Sequence, residues 1–300
     1  MRPKVKQSIG FLECALKEFR SNDLLRMSGS TAFFTIFSLP AIPFMLITVI
    51  GKVLNFERIG PNLSKEIGDI FGQQGEELLG NLMRNIEEMN SNWLYAVAGT
   101  GFLVFAGTTL FVVIQSSLND IWGVRPLKGK GWLLLLRKRG MSIAFVFILG
   151  LLFAVAILFD SLLDISGDKL AAFLPERFNV GLLNFVSRLF STAIIALWFA
   201  CTYKFLPDVR VPWKSVWLGS AITSILFVLV RLLLSKFLAA SPLGTIYGAS
   251  GTIVLVVLFV FITSFILYFG AALVKAYSIT YGPGIIPKSF AEKVRLGHVD

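Results

Sequence analysis

Side chains that commonly carry enzymatic chemistry are few in this chain and form no recognisable set. The one histidine, His298, has no serine and aspartate placed to complete a catalytic triad, and no GxxxxGK[ST] phosphate loop occurs. The acidic pairs within 76–88 suit solvated loop positions better than a metal site. Two isolated cysteines, Cys14 and Cys201, cannot form a zinc site with one histidine. The sequence therefore predicts a protein that is not an enzyme and holds neither cofactor nor metal.

Three basic residues draw attention because they lie within long apolar stretches: Arg188, Arg231 and Lys236. The two arginines are expected roughly 8–10 Å inside the hydrocarbon boundary that the charge pattern below assigns to the outside. Because a guanidinium group makes bidentate hydrogen bonds with phosphate, this group predicts a binding site for an anion such as a lipid phosphate. The alternative is that the side chains reach the outer headgroups or pair with Asp160 and Asp164.

Two prolines, Pro40 and Pro43, interrupt the first apolar stretch. Each lacks an N–H group and clashes with the carbonyl four residues earlier, so a kink or break is predicted just after the polar residues between 31 and 38. A broken helix with polar neighbours is typical of transporters, although it also occurs in ordinary packed spans. Tyr247 and Gly248 belong to a short uncharged loop that is expected to form a tight outer turn, and with the prolines they are predicted to shape a path.

Six apolar stretches are long enough to cross a bilayer, which takes about 20 residues as a helix. Backbone groups in hydrocarbon must satisfy their own hydrogen bonds, so these stretches are expected to be helices. Their lack of period-two alternation argues against a β-barrel. The fold class is therefore all-α membrane protein, a single six-span domain over 1–300. The predicted spans are about 31–54, 93–115, 141–161, 182–206, 214–238 and 249–275.

Basic residues are distributed unevenly between the connections. Nineteen of the 28 Lys and Arg residues lie in 1–30, 115–140, 204–214 and 275–300, whereas those segments hold seven of the 18 acids. By the positive-inside rule, both termini and the loops after the second and fourth spans are predicted to be cytoplasmic. Since topology accounts for most of the net charge of +10, nucleic acid is not an expected partner.

Two segments outside the spans show helical periodicity. Residues 1–30 carry apolar side chains at helical spacing with basic residues around them, which predicts an amphipathic helix on the inner leaflet or, alternatively, a partner-binding helix. The loop 52–92 contains two apolar stripes separated by Gly72 and Gly75, so two short amphipathic helices are predicted on the outer face.

Several stretches together resemble the YihY/BrkB family of bacterial inner-membrane proteins over essentially the whole chain. The best markers are Asn119-x-x-Trp122-Gly123, the Leu206-Pro207-Asp208 turn followed by Trp213, and Tyr247-Gly248. The resemblance implies six spans and a place in the bacterial inner membrane. Members have been labelled ribonuclease BN and linked to serum resistance, and roles in envelope lipid transport have been suggested.

The chain departs from the family pattern near the end of its sixth span. A Gly-Ala-Glu-Leu-like stretch is usual there, whereas this chain has Ala272 in the acidic position and Lys275 close by. Any mechanism that needs a carboxylate at that point is therefore in doubt.

These observations favour an inner-membrane protein that binds and moves an anionic amphipathic molecule, with membrane lipids as its expected partners. The alternative is an envelope scaffold without transport. A membrane-bound ribonuclease is a distant third, because it would depend on scattered cytoplasmic acids such as Asp120 and Asp208.

Overall fold

The computed structural model describes residues 3–38, 80, 81, 84, 93–127, 140, 145, 148, 151, 152, 155, 176–240 and 250–293. As predicted, these residues are mostly helical. The helices with described bounds are α1 (Pro3–Ser21), α2 (Leu24–Ser38), α3 (Trp93–Trp122), α4 (Glu176–Phe205), α5 (Trp213–Ala240) and α6 (Ser250–Tyr281), and two short strands are β1 (Val124–Pro126) and β2 (Ala291–Lys293). The described residues of the third span, predicted at about 141–161, are helical, as is residue 140 just before it.

Local chemistry explains where these helices begin and end. Asp23 separates α1 from α2, and its carboxylate accepts a hydrogen bond from the Arg26 backbone N–H, so α2 begins before the predicted start at residue 31. Gly123 ends α3 with a φ of 63°, a conformation that glycine adopts without steric cost. Pro207 and Pro212 bracket the turn between α4 and α5, because proline cannot continue a helix from within.

The C-terminal ends of α3 and α4, the N-terminal end of α5 and the segment after α6 meet at one end of the bundle, here called the sheet end. β1 and β2 pair antiparallel there, with Val124 opposite Lys293 and Pro126 opposite Ala291. Val209 forms a bridge with Pro287 next to this pair. The chain after α6 therefore ties the α3 terminus to the α4–α5 turn.

Helix α5 packs antiparallel to both α4 and α6. Tyr203 hydrogen-bonds Thr223, and the ring of Phe199 lies 6.0 Å from that of Phe227. Residue numbers therefore fall along α4 as they rise along α5, which shows that the two helices are antiparallel. A Cβ on Gly219 would overlap the Val274 side chain, which shows how closely α5 approaches α6. Small residues at such crossings let backbones approach and are typical of helices packed in membranes.

Candidate functional site

The structure places the predicted basic residues on two adjacent helices. Arg188 is in α4, and Arg231 and Lys236 are in α5. At 1.5 Å per residue, Arg188 lies about 26 Å from the C-terminal end of α4, and Arg231 about 27 Å from the N-terminal end of α5. Because these two ends meet at the α4–α5 turn, the backbones at the two arginines stand at similar depth. The Arg231 side chain is half-buried and has an interaction partner.

The residues predicted to shape a path fall elsewhere in the chain. Pro40, Pro43, Tyr247 and Gly248 all lie outside the described residues. The polar side chains just before the prolines are described, and they hydrogen-bond within their own helix. Thr31 donates to the Met27 carbonyl at 3.0 Å and Ser38 to the Thr35 carbonyl at 3.1 Å. These hydroxyls therefore have partners within α2, and such bonds to the preceding turn often bend a helix.

A buried polar cluster at the sheet end is the most connected arrangement among the described side chains. It consists of Gln115 and Asn119 of α3 and Asp208 of the α4–α5 turn. Gln115 Nε2 donates to Asp208 Oδ1 at 3.1 Å, and Asn119 Nδ2 donates to Asp208 Oδ2 at 2.8 Å. In return, the Asp208 backbone N–H donates to Asn119 Oδ1 at 2.8 Å. Both carboxylate oxygens thus have an amide donor, as a buried carboxylate requires.

Further hydrogen bonds lock this cluster to the chain after α6. Gln115 Nε2 also donates to the Leu206 carbonyl at 3.0 Å. The Lys288 backbone N–H donates to the Asp208 carbonyl at 2.9 Å, and its ammonium group donates to the Pro207 carbonyl at 2.7 Å. Within the described ranges, no three acid, histidine or cysteine side chains gather as metal ligands would. The cluster therefore has the features of a structural clasp that holds three segments together.

Two tyrosines carry hydrogen bonds between the helices. The Tyr268 hydroxyl lies 2.6 Å from Thr31 Oγ1 of α2 and also interacts with Ser117 of α3. The Tyr203 hydroxyl donates to the Leu267 carbonyl at 2.9 Å and lies 3.0 Å from Thr223 Oγ1. Both side chains are fully buried. A polar group in an apolar bundle needs such partners, so the tyrosines fix how α2, α3, α4, α5 and α6 fit together.

Helix α1 packs against α6. The Phe11 ring lies 6.1 Å from Tyr277, and the Phe19 ring lies 5.9 Å from Phe269. Part of its apolar face therefore packs within the chain, whereas Leu16 of the same face is exposed. Lys17 and Arg20 are exposed on the opposite side, as the amphipathic pattern predicts.

Sequence reasoning identified part of this arrangement without its geometry. Asn119 and the Leu206-Pro207-Asp208 turn were separate markers of the family resemblance, and the structure joins them in one contact. Gln115 was missed, although a strongly polar side chain one helical turn before Asn119 in an apolar helix was an available signal. The hydrogen bonds of Tyr203 and Tyr268 were missed because their partners lie on other helices and no residue near either tyrosine in the sequence indicates them.

The comparisons with known proteins agree with the predicted resemblance. The profile of the family described as virulence factor BrkB matches residues 15–287. A UPF0761 membrane protein of Pseudomonas paraeruginosa is 25% identical over 278 residues, which cover 91% of this chain and 64% of that protein. One from Azotobacter vinelandii is 26% identical with the same coverage. One from Idiomarina loihiensis is 24% identical over 271 residues, covering 89% of this chain and 90% of that protein.

The chain spans 64% of the length of the Pseudomonas and Azotobacter relatives that it matches. No solved structure matches the chain significantly.

Proposed function

We propose that this chain, which belongs to the virulence factor BrkB family of membrane proteins, is a six-span protein of the bacterial inner membrane with both termini in the cytoplasm. Its proposed function is to bind an anionic amphipathic molecule, such as a lipid, and to move it across the bilayer. It is proposed to act without enzymatic chemistry.

The outer surface of α5 supports the membrane assignment. Trp213–Leu234 and Val254–Tyr281 are the two described stretches with the length and apolar composition to cross a bilayer. Along α5, exposed apolar side chains recur every four residues at Trp217, Ala221, Ile225, Leu229 and Leu233. Such a continuous apolar stripe would be costly in water and is expected of a helix that faces acyl chains.

The sheet end supports the proposed topology. Basic residues are concentrated in the connections that meet there, as expected of a cytoplasmic surface. Because α3 and α4 both end at the sheet end, the chain between them has to return to the opposite end, which the span predicted at 141–161 would do. This arrangement favours six spans.

The observation that carries the transport proposal is the shared depth of Arg188 and Arg231. Both lie about 26–27 Å from the sheet end on neighbouring antiparallel helices, within a hydrocarbon core about 30 Å thick. Inserting an arginine side chain costs about 2.5–3.5 kcal/mol at the bilayer centre, and the cost falls towards either boundary. Two arginines whose backbones lie at one level favour a function that needs positive charge, and an anionic headgroup is the ligand that suits them.

The acids on which a ribonuclease would depend do not favour that alternative. Asp208 has both carboxylate oxygens bound by amide groups of α3, and Asp120 is exposed near the end of that helix. A scaffold role without transport is therefore the main alternative, and the transport experiment distinguishes it from lipid movement.

The test is movement of a fluorescent anionic phospholipid between the leaflets of proteoliposomes containing the full chain. We expect movement with the wild type and its loss with Arg188→Leu/Arg231→Leu. The matched control is Arg188→Lys/Arg231→Lys, which keeps both charges without the bidentate fork and should retain more activity than the leucine variant. A wild type that is folded and inserted but moves no anionic lipid would refute transport of phospholipid and leave the scaffold role. Equal activity in the leucine variant would refute the arginine site.

Topology has its own test in a Cys14→Ser/Cys201→Ala background. Single cysteines are introduced at two exposed positions, Asn81 in the predicted outer loop and Arg125 at the sheet end. A membrane-impermeant maleimide added to intact spheroplasts should label the Asn81→Cys protein and reach the Arg125→Cys protein only after lysis. The opposite labelling pattern would invert the orientation.

A further inference from the structure

Three aromatic rings are exposed where α4 turns into α5. Phe205 is 44% exposed, Trp213 is 46% exposed and Trp217 is 50% exposed. The rings form a continuous group, since Trp213 lies 6.2 Å from Phe205 in a T-shaped pair and 6.3 Å from Trp217 in a stacked pair. Tryptophan rings on the outside of a bundle, at the end of an apolar stripe, are typical of the boundary between acyl chains and headgroups.

Three cations accompany these rings in the sequence of the α4–α5 turn. The Lys204 ammonium group lies 5.0 Å above the Trp213 ring and donates to the Val211 carbonyl, which holds its charge against the aromatic group. Arg210 and Lys214 are exposed on either side of the Val211 position. We call Lys204, Phe205, Arg210, Trp213, Lys214 and Trp217 the aromatic–basic corner.

No described carboxylate forms an ion pair with Lys204, Arg210 or Lys214. The acid nearest to them in sequence is Asp208, which is buried and turned inward, with its oxygens held by Gln115 and Asn119. The inward clasp therefore removes the one carboxylate of the turn that could neutralise the cations outside. The corner keeps a net positive charge beside an apolar surface.

The apolar surface continues from the corner along α5. Ala221, Ile225 and Leu229 follow Trp217 at intervals of four residues, and all three are exposed. A ligand that filled both parts would have a negatively charged head at Arg210 and Lys214 and a long apolar tail along the stripe. A soluble anion would leave the stripe uncovered, and an acidic protein would have to displace lipid from it.

We infer that the aromatic–basic corner is a binding site for the headgroup of an anionic phospholipid, in the leaflet that meets the sheet end. Arg210 and Lys214 bind the phosphate, and Trp213 and Trp217 contact the glycerol region and the upper acyl chain. The site lies at the opposite ends of α4 and α5 from Arg188 and Arg231. It does not depend on the proposed transport, since a scaffold protein could hold the same lipid.

The experiment uses the full chain in phosphatidylcholine vesicles that contain an equal fraction of either brominated phosphatidylglycerol or brominated phosphatidylcholine. Acyl-chain bromine quenches tryptophan fluorescence on contact. The difference in quenching between the wild type and Trp213→Phe/Trp217→Phe is the quenching of the two tryptophans of the aromatic–basic corner. We expect stronger quenching by the anionic lipid. Arg210→Gln/Lys214→Gln should lower the affinity for the anionic lipid, relative to phosphatidylcholine, by about fivefold for each charge removed. A basic residue near an anionic surface contributes about that factor to binding.

Two variants serve as controls for this test. Arg125→Gln/Lys293→Gln removes two exposed charges from the sheet end outside the corner and should keep the preference. Arg210→Lys/Lys214→Arg keeps the charges and should keep it too, which separates charge from folding. Equal quenching by the two lipids in the wild type would overturn the inference. Displacement of the lipid by soluble glycerol phosphate would also overturn it, because a site for free phosphate needs no acyl chain. Loss of the lipid preference in the Arg125→Gln/Lys293→Gln protein would overturn it as well.

Discussion

Lys275 of α6 forms an ion pair with Glu18 of α1, with the ammonium nitrogen 2.5 Å from Glu18 Oε2. The two side chains are only 11% and 14% exposed, so neither charge is well solvated without the other. Asn22 also donates to the same carboxylate at 3.2 Å. This pair joins residues 257 positions apart and fixes α1 on α6 at a point between its two aromatic contacts.

Removing this ion pair should loosen α1. Glu18→Gln leaves the Lys275 ammonium group mostly buried without its partner, and we expect α1 docking to weaken by about 2 kcal/mol. Hydrogen exchange of α1 amides in nanodiscs should then speed up by about thirtyfold, because local opening becomes more frequent. Lys17→Gln, an exposed change on the same helix, is the control. Unchanged exchange in Glu18→Gln would show that the aromatic contacts alone hold α1.

Ala272, where the family resemblance leads one to expect an acidic residue, allows a second test. Ala272 is buried, one helical turn before Lys275, so Glu at this position could reach the same ammonium group that Glu18 binds. Ala272→Glu should therefore cost less thermal stability than Ala272→Gln of similar size, and it should speed exchange in α1 by competing for Lys275. If the glutamine variant is the more stable protein, then Lys275 does not receive the new carboxylate.

The clasp at the sheet end predicts a specific pattern of rescue. Asp208→Asn turns an amide N–H₂ group towards a donor of Gln115 or Asn119, and each buried donor left without an acceptor costs about 1–3 kcal/mol. Asn119→Asp/Asp208→Asn restores an acceptor for each donor, so it should recover more than half of the lost stability. Thermal unfolding of the single and double variants in detergent measures this coupling. Purely additive losses would contradict the reciprocal hydrogen bonds.

The crossing of α5 and α6 should not tolerate a methyl group at Gly270. A Cβ there would overlap the Thr223 and Tyr203 hydroxyl oxygens, so Gly270→Ala should destabilise the protein by about 1–3 kcal/mol. Gly101→Ala is the matched control, because nothing lies within 4 Å of that Cβ and alanine favours a helix. Equal melting temperatures for the two variants would mean that α5 and α6 are not in close contact at this crossing.

Apolar length was enough to predict a mostly helical chain, and charge placement grouped the connections that meet at the sheet end on one side. The spacing of apolar residues in 1–30 predicted α1, and the aromatic contacts of Phe11 and Phe19 give part of that apolar face its partner. These features are local, since hydrophobic periodicity and proline chemistry act over one or two turns. The six-span count and the orientation stay predictions.

The contacts between helices could not be predicted in the same way. Thr31 and Tyr268 are 237 residues apart, and nothing in either neighbourhood names the other. Tyrosine and threonine are also ordinary residues in apolar helices, so their types alone do not distinguish a hydrogen bond between helices from packing. The basic residues of the predicted anion site were located by sequence, whereas the aromatic–basic corner needed the structure, because it depends on Asp208 turning inward.

The hydrogen bond between Asn119 and Asp208 also has a consequence for biogenesis. The two residues are 89 positions apart, so at roughly 5–20 residues per second Asn119 is synthesised about 4–18 s before its acceptor. Lys288, which closes the clasp from the other side, is made later still. Until then, the polar side chains at the end of α3 lack the partners that they have in the folded protein. A nascent chain halted before residue 208 should remain sensitive to protease at that end and become resistant once the α4–α5 turn has emerged.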